Sequence, residues 1–196
     1  MRWGTNQNVK WRTDLPGPGA SSPIVSKGRI FLTCWSGYGQ DLEYPGDPVR
    51  LKRHALCLDR KNGRILWNRV VPAKGPVPPF QRPFLPEGGY ASSTAVSDGT
   101  NVFYFMAKRG VIAYTHDGKE LWRTTLGNGW HDWGTGASAM LYQNLVIVNA
   151  SVESSTLCAL NKQDGSVAWR VPEVFKSYNT PLLVEAGGER PELVVA

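Results

Sequence analysis

The apolar positions of this 196-residue chain fall in short alternating runs broken by turn residues. Nowhere do they recur at i, i+3, i+4, i+7 over a sustained stretch, so the pattern predicts strands and almost no helix. Three runs align on a tryptophan: ALCLDRKNGRILW (55–67), VIAYTHDGKELW (111–122) and LCALNKQDGSVAW (157–169). In each, a glycine (Gly63, Gly118, Gly165) precedes the tryptophan (Trp67, Trp122, Trp169) by four and follows Asn62, Asp117 or Asp164. Asn-Gly or Asp-Gly between alternating runs predicts a hairpin with a type I′ turn, which needs positive φ at both central residues. A further Trp strand, NVKWRTDL (8–15, with Trp11), stands alone at the start.

A second motif alternates with the first: SSPIVSKGRIFLT (21–33), SSTAVSDGTNVFYF (92–105), ASAMLYQNLVIVN (137–149) and NTPLLVEAGGERPELVV (179–195). Each is a step of small residues, an apolar strand, a turn and a second apolar strand. The two motifs together give four strands per unit in a minimal period of about 40 residues, the size of a β-propeller blade. The predicted fold is therefore all-β, a propeller of four-stranded antiparallel blades with about 3.5–4 blades in the chain. One partial-propeller domain is expected over 1–196. Within it, 1–20 holds the lone outer strand of a preceding blade, 21–71, 91–126 and 137–172 are blades, and 178–196 is the first half of the next. A helical solenoid lacks its periodicity here, and a sandwich would not require a repeated four-strand unit.

Composition sharpens this picture only at the margins. Twenty-one Gly and fourteen Pro suit a turn-rich β protein. The net charge of +6 is scattered, and the densest basic run, VRLKRH (49–54), follows Asp41, Glu43 and Asp47, which balance it. The 35–53 loop, with its charges balanced, reads as a solvated excursion, and no basic face is left to bind nucleic acid. Cys34, Cys57 and Cys158 form no C-x-x-C pair and read as buried free thiols, with a Cys34–Cys57 bridge as the alternative. The opening MRWGTNQNVKWR has no apolar core of a signal peptide, and no stretch is long and apolar enough for a membrane span.

The three Trp segments resemble the pyrroloquinoline-quinone-type repeat, A-x-D-x-x-T-G-x-x-x-W, at the Gly and Trp, with Asp59 or Asn161 in the acidic slot. The middle copy is one residue short, has Thr115 there, and Asn or Asp replaces the usual Thr before Gly. With SSPIVSKGRIFLT, GYASSTAVSDG and LYQNLVIVNASVES, the chain looks like a planctomycete-type branch of exported propeller proteins. The resemblance implies a periplasmic or secreted location and a structural role for Trp11, Trp67, Trp122 and Trp169, each docking on a neighbouring blade. In quinoprotein dehydrogenases the same repeat surrounds the quinone and calcium, with a disulfide between adjacent cysteines; this chain has no Cys-Cys. In the outer-membrane-assembly propeller lipoprotein it forms a protein-binding scaffold without cofactor.

Alternating strand direction places the long connections 35–53, 72–90 and 127–136 on one face, opposite the tight Gly turns. Loops on a rigid frame are where recognition usually resides. The candidate ligand-binding residues are Trp130, His131, Asp132 and Trp133 of GNGWHDWGTGAS (127–138), with Tyr38, Arg82 and Tyr90 from the other two loops. His54 and His116 read as ordinary strand-end and turn residues. G-x-S-x-G and H-E-x-x-H are absent, nothing selects a pair among Asp41, Glu43, Glu87 and Asp132, and no metal set is visible. NAS (149–151) is a formal glycosylation sequon.

The expected function is a non-catalytic binding or scaffold domain of an exported bacterial protein, without a cofactor. Its ligand, a protein, a small molecule or a glycan, would engage the loop face. The remaining blades of a longer chain, or a second half-ring, would close the propeller. The alternatives are a quinoprotein-type oxidoreductase using pyrroloquinoline quinone with calcium, its site partly in missing blades, and a carbohydrate-binding propeller.

Overall fold

The computed structural model describes residues 4, 7–80, 88–185, 187 and 190–195. Its strands form three four-stranded antiparallel sheets and one of two strands. The first sheet is β1 (Ile24–Ser26), β2 (Arg29–Ser36), β3 (Lys52–Asp59) and β4 (Ile65–Pro72). The second is β5 (Val96–Ser97), β6 (Asn101–Phe105), β7 (Val111–Thr115) and β8 (Glu120–Thr124). The third is β9 (Met140–Tyr142), β10 (Leu145–Ala150), β11 (Thr156–Asn161) and β12 (Val167–Val171). β13 (Leu182–Val184) pairs with β14 (Glu192–Val194). In each four-stranded sheet the strands lie in chain order, as a meander.

The sequence of each strand matches its place. β3 reads KRHALCLD and is buried from Arg53 to Leu58, because neighbours cover both of its faces. In β4 the inward positions are Trp67 and Val71, and the residues between them are more exposed, as befits an outer edge. Phe31, Ala55, Cys57 and Trp67 of the first sheet pack against Val102, Tyr104, Ile112 and Tyr114 of the second. The second sheet's other face, with Phe103, Val111 and Trp122, packs against Val146, Val148, Cys158 and Leu160 of the third.

One contact recurs between sheets. The Trp11 indole N–H donates to the Arg60 carbonyl at 3.0 Å, Trp67 to His116 at 2.8 Å, and Trp122 to Lys162 at 2.9 Å. Each acceptor lies in the next sheet's third hairpin turn, beside that turn's glycine. A Cβ on Gly63 would stand 2.4 Å from Trp11 Cε3, on Gly118 2.8 Å from Trp67 Cγ, and on Gly165 2.4 Å from Trp122 Cε3. The glycine is thus the floor on which the preceding sheet's indole lies.

This alters the reading of the turns. Gly63, Gly118 and Gly165 have φ of +74°, +82° and +73°, but Asn62, Asp117 and Asp164 are not in the left-handed region. The turns are therefore not type I′. They span residues 60–63, 116–118 and 162–165, closed by Asp59 N–H to Arg64 O, Thr115 N–H to Lys119 O and Asn161 N–H to Ser166 O. A register shift follows in each ladder, at Cys57/Leu58, Ala113/Tyr114 and Ala159/Leu160. A longer loop ending in a left-handed glycine with a bulge replaces the two-residue turn.

The small-residue steps also join sheets. The Ser22 N–H donates to Thr94 Oγ1 (3.0 Å), Thr94 N–H to Ser138 Oγ (2.9 Å) and Ser138 N–H to Thr180 Oγ1 (3.0 Å). Residues 8–15, expected as a strand, pair with nothing in the ladders. They run along the first sheet through Trp11 and a Thr13 hydroxyl bond to Gly63 O at 2.7 Å. A strand needs a neighbouring strand to bond to, and among the described residues none pairs with this segment.

All three cysteines are free and buried. Cys34 and Cys57 belong to clusters on opposite faces of the first sheet, which rules out the bridge between them. Burial pushes both thiols up to about 11. None of the three should react with a thiol reagent near pH 8 in the folded chain, and all three should react after denaturation; colorimetric thiol titration checks this.

Candidate functional site

The long connections gather on one face. Trp35, Tyr38, Leu51, Tyr90 and Ala91 form a buried cluster, against which Ala73, Val77 and Phe80 pack. Loops 35–53 and 72–90 therefore share one core. The main chain of this region comes so close that a Cβ on Gly89 would meet the Trp35 ring at 2.0 Å. The third loop, 127–136, lies on the short helical turn Ser151–Ser154, with Gly129 N–H donating to Glu153 O at 2.8 Å.

A cavity of about 30 Å³ opens where the three loops converge. Its walls include Arg53, Tyr90, Lys108, Trp130, His131 and Glu153, with Lys74 at its exposed side. Arg53, Lys108 and Glu153 are 8%, 8% and 3% exposed. Arg53 starts its run in β3, Lys108 sits between β6 and β7, and Glu153 between β10 and β11. Lys108 and Glu153 thus come from the connection between the two middle strands of their sheets, and Arg53 from the strand just after that connection in its own. Arg53 Nε donates to Tyr90 O at 2.6 Å, Lys108 Nζ to Pro76 O, and Thr135 Oγ1 to Glu153 Oε1. Arg109 ties the same loop by donating to Pro72 O at 2.7 Å.

Burial governs the protonation of these groups. It lowers the Arg53 guanidinium to about 10, lowers Lys108, and raises Glu153 against the opposing pull of Thr135 and the two cations. It also raises the Tyr90 hydroxyl, which donates to Pro78 O. A carboxyl raised in the folded state binds its proton more tightly there than in the unfolded chain. Its contribution to stability is complete below its ordinary value of 4.5 and is lost as pH rises through the folded-state value. Glu153→Gln should therefore flatten the fall of stability with pH just above 4.5 and leave the folded chain relatively more stable at neutral pH. Urea unfolding at a series of pH values checks it.

The WHDW motif divides between wall and rim. Trp130 and His131 line the cavity, while Asp132 is exposed. Trp133, 53% exposed, lies 5.5 Å from the Tyr178 ring, and the Tyr178 hydroxyl bonds His131 Nδ1. Tyr90 reaches the cavity with its hydroxyl already engaged. Tyr38 does not reach it: its hydroxyl accepts from Phe80 N–H at 3.0 Å inside the aromatic cluster, where its ring excludes water. Arg82, with Phe84 and Glu87, lies outside the described residues.

Other expectations are corrected. Arg53 is not a solvated, balanced charge; Asp41 and Asp47 instead cap local backbone, accepting from Glu43 N–H and Val49 N–H. His54 is buried, 2.8 Å from Ser36 Oγ and 3.0 Å from Asn68 Oδ1. His116 is buried too, since its carbonyl receives Trp67. Asn149 is 2% exposed and donates to Ser177 Oγ, so its sequon is closed to modification in the folded chain. The sequence reading missed Lys108, Glu153 and Tyr178. The position shared by Lys108 and Glu153, between the second and third strands of a unit, was the available signal.

The donor set does not fit calcium. That ion takes six to eight oxygen ligands, whereas one carboxylate and three cationic side chains line this cavity. Among the described residues no cluster of His, Cys, Asp and Glu is placed to hold a metal. Among the described residues no helix is long and apolar enough to cross a membrane.

Four-stranded blades, each seated on the next through an indole and a glycine, define a β-propeller. Residues 51–186 match the family described as outer membrane protein assembly factor BamB, and the chain belongs to that family. Among solved structures it is similar to BamB from Moraxella catarrhalis at 13% identity and a TM-score of 0.57, over 90% of this chain and 44% of that one. Quinohemoprotein alcohol dehydrogenase ADHIIG from Pseudomonas putida HK5 matches at 15% identity and TM-score 0.51, over 83% and 22%. The computationally designed Ika4 protein matches at 11% identity and TM-score 0.57, over 95% and 96%. This chain thus spans less than half of BamB, and identities this low establish a shared fold. No curated protein matches it.

Proposed function

We propose that the chain is a non-catalytic binding module of the bacterial cell envelope, with a protein partner seated on the face of loops 35–53, 72–90 and 127–136. One observation carries this reading. Three loops converge on a single cavity, two of them fixed by a shared buried aromatic cluster and the third by Gly129 N–H bonding Glu153 O. Exposed aromatic surface sits beside it at Trp130 and Trp133, 41% and 53% exposed, and aromatic residues are typical anchors of binding. The opposite face presents the short turns that receive the indoles. The quinoprotein alternative is not favoured, because the cavity's charges suit neither calcium nor a ring of carboxylates around it. Further blades, or a second half-ring, would complete the propeller around the line of backbone N–H to hydroxyl bonds that runs from Ser22 through Thr94 and Ser138 to Thr180.

The test places a photo-cross-linking side chain at position 133, and separately at Gln163 on the turn face. A discrete adduct to one envelope protein from position 133 alone is the expected result. Adducts from both positions, or from 163 alone, would overturn the assignment of the face.

A further inference from the structure

We infer that the cavity binds a small carboxylate bearing a hydrogen-bond donor on the adjacent carbon, an α-hydroxy or α-amino acid. This rests on the loop face being a recognition surface and adds to it a ligand of defined chemistry.

The cavity holds charges that act on one another across it without forming a direct ion pair. None of the three ion pairs among the described residues involves Arg53, Lys108 or Glu153, although the three share its wall. Each is at least nine-tenths buried. Buried charges are normally paired, because taking them out of water is costly. Two buried cations, with Lys74 at the exposed side, face one carboxylate, so the unmet demand is for an anion. Arg53 spends Nε and Lys108 one of its donors on carbonyls. A guanidinium has five N–H donors and an ammonium three, which leaves several to point at a ligand carboxylate.

Glu153 sets the second requirement. Its Oε1 accepts from Thr135, but Oε2 is buried and has no partner. A bare anion would satisfy the cations and leave Oε2 stranded. A simple cation would satisfy Oε2 and meet two like charges. A carboxylate with a hydroxyl or ammonium one carbon away serves both groups at once. About 30 Å³ holds about two waters, so only a small head group can enter the cavity. Any longer substituent would leave past Trp130 and Lys74, exposed members of the same wall.

Isothermal titration of the chain near neutral pH with glycolate, glycine, acetate and glycinamide tests the inference. Glycolate and glycine should bind at least about tenfold more tightly than acetate, the worth of one charge-assisted hydrogen bond, and glycinamide should not bind. Glu153→Gln keeps an acceptor but removes the charge, so glycine should weaken by about tenfold and glycolate by about threefold or less. Acetate binding as tightly as glycolate, or Glu153→Gln leaving glycine unchanged, would overturn the role of Glu153. Silence of all four would overturn the inference. If position 133 still cross-links its partner in that case, the binding-module reading stands without it.

Discussion

Replacing Trp67 by Ala should cost about 3–5 kcal/mol of unfolding free energy, the range for removing a buried large aromatic. The ring is 8% exposed and lies 5.7 Å from Tyr114 and 6.0 Å from Phe31, in the seam between the first two blades. Its N–H also gives the His116 carbonyl its partner. Trp67→Phe keeps an aromatic ring in the seam and loses that bond, so its cost should be smaller, about 1–2 kcal/mol for the hydrogen bond plus whatever the smaller ring forfeits. Trp169→Ala should cost less than Trp67→Ala, since Trp169 is only partly buried against the cluster of Ile147, Leu157 and Ala159. Urea-unfolding midpoints at constant slope rank the three.

The second large effect belongs to Gly118. With φ at +82° it sits where an L side chain is strained, and an added Cβ would stand 2.8 Å from Trp67 Cγ. The left-handed conformation costs about 1–2 kcal/mol and overpacking about 1–3 kcal/mol more, so Gly118→Ala should lose about 2–5 kcal/mol. Gly28 separates the two causes: its φ is +78° and a Cβ there meets nothing within 4 Å. Gly28→Ala should therefore show the backbone cost alone, about 1–2 kcal/mol. Equal losses at the two sites would mean that the indole yields freely to a methyl group.

These residues also mark how far the chain could be read without its structure. The blades were legible because strand pairing is local and the alternation of apolar residues is strong in each ladder. The turns were misjudged for a long-range reason. Asn62-Gly63 and Asp117-Gly118 look like hairpin signals, yet each glycine answers to a tryptophan some fifty residues earlier, and Asn and Asp do not share its conformation. The small-residue steps were seen as repetition, but their hydrogen bonds to the next blade depend on blades being side by side. The loop face was legible from connection lengths, and Trp130 and His131 do reach the cavity. Arg53, Lys108 and Glu153 were not legible as a group. Charged residues at strand starts and in connections ordinarily face water, and here the convergence of three loops buries them. Tyr178 stayed hidden because its partner, His131, lies 47 residues away.

Everything asked of the loop face depends on a frame in which each blade is seated on the next by an indole lying on a glycine. The most direct test is a double-mutant cycle on Trp67→Ala and Gly118→Ala, followed by urea unfolding. With the indole gone, the added methyl has room, so Gly118→Ala should cost only about 1–2 kcal/mol in the Trp67→Ala background, a coupling of at least about 1 kcal/mol. If the two losses simply add, the indole and the glycine act independently and the blades are held together by something else.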